Sequence, residues 1–189
     1  RSTLFPYTTL FRSRDMLADF AGVKSPVMLV LNMMDVAEQK GKKIDVQKIE
    51  KLLNIPVLGF TAANLDDYPK FFETLNRALE KKATISSDKI RDIVEREGEK
   101  SRVENLKKLE DLIASLKFDN RERFWVASKL LENDSLVRSE VETAVTPEHW
   151  KQIKEILDAE GSDGGLLTGE AKYRFVSEVL RDASEGEEK

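Results

Sequence analysis

No cysteine occurs in the 189 residues, and there is only one histidine. The first absence excludes disulfides, thiolate metal sites and cysteine nucleophiles, and it fits a reducing compartment. The second leaves His149 without partners for a zinc or proton-relay cluster, so it reads as a helix-surface residue and no metal site is expected. Long apolar runs are also missing. The longest, Val27 to Leu31, is far short of the roughly 20 residues a helix needs to cross a bilayer, and the chain reads as soluble. Nor is there a basic excess: 31 Lys and Arg stand against 35 Asp and Glu, for a net charge of −4. A nucleic-acid partner would call for the opposite balance, so none is expected.

What is present suits a helix-rich protein with a well-solvated surface: 40% of residues are hydrophobic and 35% charged. The length allows one domain or two small ones. The opening stretch RSTLFPYTTLFRS fits neither a helical nor an alternating pattern, and its broken apolar core and Arg12 make it a poor signal peptide. Its residues back-translate codon by codon into DNA resembling a common short-read sequencing adapter. Residues 1–13 are therefore expected to be an adapter-derived artefact, with natural sequence starting near Arg14.

Two halves with different patterning follow. Residues 14–83 alternate short apolar runs with helical periodicity. The run PVMLVLN has the length and composition of a strand buried on both faces of a parallel sheet. Asp45 is placed to cap a helix with Val46, Ile49 and Leu53 on one face; Asn54-Ile55-Pro56 ends it. Val57 to Phe60 reads as a second buried strand, and Tyr68-Pro69 opens a helix whose predicted core face is Phe72, Leu75 and Leu79. Strand, helix, strand, helix predicts a parallel βαβ arrangement, here an incomplete sheet of two strands.

Residues 84–185 carry no strand signal. Helices are predicted at Val103–Leu116, with Leu106, Leu109, Ile113 and Leu116 in a stripe, and at Arg121–Leu131, with Phe124 and Trp125 inward. Another is predicted at Pro147–Ala159, capped by Thr146 and burying Trp150, Ile153 and Leu157. After the break GSDGG comes a last helix with Tyr173, Val176 and Leu180 on one face. Residues 186–189 form an acidic tail. The fold class expected is α/β followed by an all-α bundle.

The sharpest chemical feature is Asn32-Met33-Met34-Asp35, at the carboxyl end of the first strand, where ligands bind in open α/β sheets. An Asp carboxylate accepts two parallel hydrogen bonds, matching the adjacent N1 and N2 donors of guanine, which adenine lacks. Asn and Asp also make ordinary turns, so the motif gains force from the second strand's end, Phe60-Thr61-Ala62-Ala63. There a small residue lets a backbone N–H approach a base oxygen, and a hydroxyl can hold the loop. The remaining candidates read as structural. Met16, Met28, Met33 and Met34 suit core and loop packing, Asp66, Asp67 and Glu73 suit a cap and a solvated helix face, and Lys40-Gly41-Lys42-Lys43 suits a solvated turn.

The run LNMMDVAEQKGKKIDVQKIEKLLNIPVLGFTAANLDD resembles the later half of the GTP-binding domain of ferrous iron transport protein B, FeoB, whose guanine motif commonly carries Met in place of Lys. RFWVASKLLENDSLV and LLTGEAKYRFVSEVL resemble segments of the helical domain that follows it. The resemblance implies a P-loop-GTPase-like sheet joined to a helical spacer domain that has been likened to a GDP-dissociation inhibitor. It assigns guanine binding to Asn32, Asp35, Thr61 and Ala62. It implies GTP/GDP as ligand, a C-terminal transmembrane domain as partner, a place on the cytoplasmic face of the bacterial inner membrane, and room for a homo-oligomer. The helical half would relay nucleotide state to an Fe(II) channel. The alternative is a stand-alone helical adaptor without nucleotide binding. Two departures matter: Ala63 to Asp66 replace a basic residue and a Gly-rich turn, and no GxxxxGK[ST] loop or DxxG segment precedes the guanine motif. Mg2+ would therefore be held by residues outside this sequence, no catalytic residue is assigned, and the chain alone is expected not to hydrolyse GTP.

Overall fold

The computed structural model describes residues 16–41 and 43–185; the stretch read as adapter-derived and the acidic tail lie outside the described residues. Packing divides the described chain into two compact units. One comprises residues 25–85 and 176–185, the other 16–24 and 86–175. The segment just upstream of the first strand thus packs with the helices, and the end of the last helix packs with the strands.

In the α/β unit, β1 (Leu29–Leu31) pairs in parallel with β3 (Val57–Gly59), Leu29 opposite Val57 and Leu31 opposite Gly59. Between them lie α1 (Met34–Gln39), β2 (Lys43–Ile44) and α2 (Val46–Leu53). The Asp45 carboxylate accepts the Lys48 amide at 2.9 Å, satisfying one of the free donors at the start of α2, and Asn54 ends that helix in a left-handed conformation at φ 56°. Ile49 and Leu53 are buried by the resulting face. The Glu50 carboxylate on the same helix accepts the Val57 amide at 2.9 Å and binds the Arg77 guanidinium through both oxygens, tying α2, β3 and α3 (Tyr68–Lys81) together. Burial by itself would raise this carboxyl; the Val57 amide and Arg77 outweigh it and hold Glu50 below the usual carboxylate range.

Two expectations fail in this unit. All three residues of β1 are only half-buried, because β3 is the one strand that pairs with it among the described residues. In α3 the predicted face is displaced: Phe72 and Leu79 are 58% and 54% exposed, while Thr74 and Ala78 are buried and Phe71 and Leu75 half-buried. A helix rotated by one position still shows a regular apolar stripe, and only the neighbours available decide which stripe goes inward. A further strand also appears where none was signalled. β4 (Ser184–Glu185) runs antiparallel to β2, and the Asp45 amide donates to the Ala183 carbonyl at 2.9 Å. Two-residue strands are too short to leave a periodic signature.

The helical unit contains α4 (Asp88–Glu97), α5 (Lys100–Leu112), α6 (Arg123–Leu131), α7 (Ser135–Ala144) and α8 (Pro147–Glu160). The last helix, α9 (Leu166–Ala183), gives residues 166–175 to this unit and the rest to the other. Leu109, Ile113, Val126, Leu130 and Ile153 are fully buried, each contributing about 1.5–3 kcal/mol by leaving water. Thr146 accepts the His149 amide as the predicted cap of α8, and Asp134 accepts two amides at the start of α7. Leu116 lies beyond the end of α5 and is half-buried, Trp125 is half-buried, and Tyr173 is 48% exposed. Of the predicted face of α9, Val176 is buried and Leu180 half-buried, while Leu167, Ala171, Phe175 and Val179 make up the rest of the inner face.

Segment 16–24 is fastened to these helices by polar contacts. The Trp125 indole N–H donates to the Asp19 carbonyl at 2.7 Å, and Lys129 and Lys172 each bridge the Asp19 and Glu132 carboxylates at 2.5–2.9 Å. Burial would raise the Asp19 carboxyl, but Lys172 and Lys129 together keep it lowered. Gly22, at φ 101°, is required here: a Cβ would lie 2.9 Å from Trp125 Cβ.

Candidate guanine-recognition site

The sequence-predicted residues come from two loops at the carboxyl ends of β1 and β3. The parallel register brings those ends together: the Phe60 amide donates to the Leu31 carbonyl at 2.9 Å, and the Met34 amide to the Phe60 carbonyl at 3.4 Å. Asn32 then ties the loops directly. Its Oδ1 accepts the Met33 amide at 2.8 Å and the Ala62 amide at 3.3 Å. Met33 sits in the left-handed region at φ 63°, an uncommon state for a side chain of its size, and its carbonyl accepts the Val36 and Ala37 amides that start α1. This turn places Asp35 in the first turn of α1, where its carboxylate is exposed.

The second loop is braced from α3. The Thr61 amide donates to Asp67 Oδ2 at 3.1 Å, and the Tyr68 hydroxyl donates to the Ala62 carbonyl at 3.3 Å. Tyr68 also meets the Phe60 ring edge-on, 5.4 Å between centroids. Asn64 makes a local turn, accepting the Asp66 amide on its side chain. Thus Asn32, Thr61 and Ala62 form one connected constellation. Asp35 stands beside it on α1 and makes no bond to the other three. The Ala62 amide, assigned from sequence to a base oxygen, is held by Asn32 in this state; the Ala63 amide has no acceptor among the described residues.

Sequence reasoning missed the part played by Asp67 and Tyr68. Asp67 was read as a cap, yet at the start of α3 it has φ −84° and ψ −17° and makes no side-chain cap bond; its carboxylate turns back to Thr61. Nothing in a single sequence separates these roles, because an acid before Tyr-Pro suits both. The other structural readings divide. Met34 packs over Gly59, whereas Met16 is 60% exposed and no core residue. Lys43 lies in β2 and not in a turn. His149 is half-buried in the first turn of α8. Among the described residues, no helix is long and apolar enough to cross a membrane.

A parallel strand pair flanked by helices and followed by an all-helical unit has the architecture of part of a GTPase-like domain followed by a helical domain. Comparison with known families names it: residues 7–75 match the family model for ferrous iron transport protein B, and residues 100–185 match the FeoB cytosolic helical domain. The chain belongs to the FeoB family. It is 26% identical over 161 residues to the Fe(2+) transporter FeoB of Legionella pneumophila strain Paris, covering 82% of this chain and 18% of that protein. Among solved structures, the cytosolic domain of T. maritima FeoB in its GMPPNP form matches 93% of this chain and 63% of that chain, with 22% identity and a TM-score of 0.65. A GDP-bound NFeoB mutant from S. thermophilus matches 94% of this chain and 66% of that one, with 22% identity and a TM-score of 0.70. At such identities these structural likenesses establish the fold. The chain spans less than a fifth of the length of the transporter it matches.

Proposed function

We propose that this chain is the guanine-recognition half and helical domain of the cytosolic region of an Fe(II) transporter, acting at the cytoplasmic face of the bacterial inner membrane. The observation that carries the reading is the Asn32 side chain, which joins the Asn-x-x-Asp loop to the Thr61-Ala62 loop through one carbonyl oxygen. With the loops so joined, the Asp35 carboxylate is the acceptor for the paired N1 and N2 donors of guanine, and a backbone amide of the second loop meets the base oxygen. If Ala62 supplies that amide, it exchanges its long bond to Asn32 for the base; if Ala63 does, no bond is broken. The nucleotides named for the solved relatives, GDP and GMPPNP, agree with this choice of base. No residue here is assigned to the phosphates or to Mg2+, since neither motif that would hold them precedes Asn32 in the sequence. The helical unit would pass the state of the guanine site to the membrane part of the transporter.

The test is base specificity. GMP added to the 15N-labelled chain should shift the amides of Asp35 and residues 61–63, and AMP should not. Asp35→Asn should lose the GMP response and gain one to XMP, whose 2-oxo group complements an amide donor. Equal responses to GMP and AMP in the wild-type chain would overturn the reading.

A further inference from the structure

Resting on that reading, we infer that Asp67 is a positioning residue for the guanine loop, with Tyr68 as its auxiliary. Three facts place it there. First, its carboxylate is divided between two tasks: Oδ2 accepts the Thr61 amide at 3.1 Å, and Oδ1 faces the Lys70 ammonium at 3.2 Å. Second, its side chain is only 13% exposed, while that of Lys70 is 63% exposed, so the carboxylate is enclosed and its cation is not. The inward bond to Thr61 is the one that water competes for least. Third, the neighbouring Tyr68 reaches the next peptide from the same side, its hydroxyl donating to the Ala62 carbonyl and its ring edge packing on Phe60.

The consequence is geometric. A loop amide can meet a base oxygen only if the peptide plane is held in place before the ligand arrives. The peptides on either side of Thr61 and Ala62 are gripped at three points, by Asp67 on the Thr61 N–H, by Asn32 on the Ala62 N–H and by Tyr68 on the Ala62 carbonyl. Those grips leave the Ala63 amide without an acceptor among the described residues, on an exposed residue. Asp67 thereby sets where the loop offers its donor, without touching the base. The role is carried by the entry to α3, a 14-residue helix that begins at Tyr68 and has Asp67 immediately before it, both held against the loop.

The experiment uses the intact chain, labelled with 15N, with Asp67→Ala, Asp67→Asn and Lys70→Gln. Hydrogen exchange at the Thr61 and Ala62 amides is measured without ligand, and then the shifts produced by GMP. Asp67→Ala should speed exchange at Thr61 by about tenfold or more, the effect of losing a hydrogen bond to an ionised acceptor. It should also shrink the GMP response at residues 61–63. Asp67→Asn, which keeps an acceptor oxygen, should restore both, and Lys70→Gln should change neither, which separates loop positioning from the ion pair. Unchanged Thr61 exchange in Asp67→Ala overturns the positioning role whatever GMP does. Exchange that depends on Asp67 in a wild-type chain blind to GMP overturns the guanine reading and keeps Asp67 as a loop brace only.

Discussion

The helical unit and the α/β unit handle their apolar residues differently. In the helical unit, Leu106, Leu109 and Ile113 of the predicted α5 stripe and Trp150, Ile153 and Leu157 of α8 go inward, and Leu109, Ile113, Val126, Leu130 and Ile153 are fully enclosed. In the α/β unit, β1 is half-buried throughout and Leu65, Phe72 and Leu79 are more than half exposed. A helix satisfies its own backbone and needs only a partner for one face, so a handful of helices can close a core among themselves. A parallel strand needs neighbours on both edges and cover on both faces, and two strands with their helices supply neither fully.

The sharpest way to break this contrast is to truncate an apolar side chain on each side. Leu109→Ala should cost about 2–5 kcal/mol in a denaturant titration, as for a buried leucine that leaves a cavity. Leu79→Ala should fall within about 0.5 kcal/mol of the parent. A large loss at Leu79 would show that its face is covered in solution, and the contrast would vanish.

Helix caps should behave alike in both units, because capping is local. Asp134→Ala and Asp45→Ala should each cost about 1 kcal/mol, the first somewhat more because Asp134 accepts two amides and Asp45 one. Amide exchange in the first turns of α7 and α2 reads the two effects separately.

The smallest effect concerns acid. A carboxylate is held low in each unit, Asp19 among the helices and Glu50 beside β3. Such a group binds protons less readily when folded than when unfolded. Its stabilisation is complete above the ordinary carboxylate values of 3.8 and 4.5 and is lost as pH falls through the lowered folded value. Glu50→Gln should cost about 0.5–1 kcal/mol at neutral pH and make the decline in stability below pH 4.5 shallower. A decline as steep as in the parent would remove Glu50 from the acid response.

The candidate site was proposed beforehand from residue type at strand ends, and the structure brings Asn32 and Ala62 into direct contact. The rule that ligands gather at the carboxyl ends of parallel strands pointed to the two loops, and the family resemblance assigned Asn32, Asp35, Thr61 and Ala62 within them. The family resemblance added the helical half, whose segments a single-sequence periodicity cannot tie to any partner. What escaped were roles that depend on direction. Asp67 turning back to Thr61, Trp125 reaching the Asp19 carbonyl and Ser184–Glu185 pairing with β2 each join residues with no sequence signature for the contact.

By itself, then, the sequence determined the two parallel strands and the longer helices, the caps at Asp45 and Thr146, the turn after Leu53 and the residue types offered at the two strand ends. These follow from local sterics and from hydrogen bonds within a few residues of each other. Only the tertiary structure decided which stripe of α3 and α9 faces inward, that segment 16–24 joins the helices, and that the Ala62 amide is held by Asn32. Those outcomes depend on which surfaces meet, and an apolar stripe specifies that it will be covered without specifying by what.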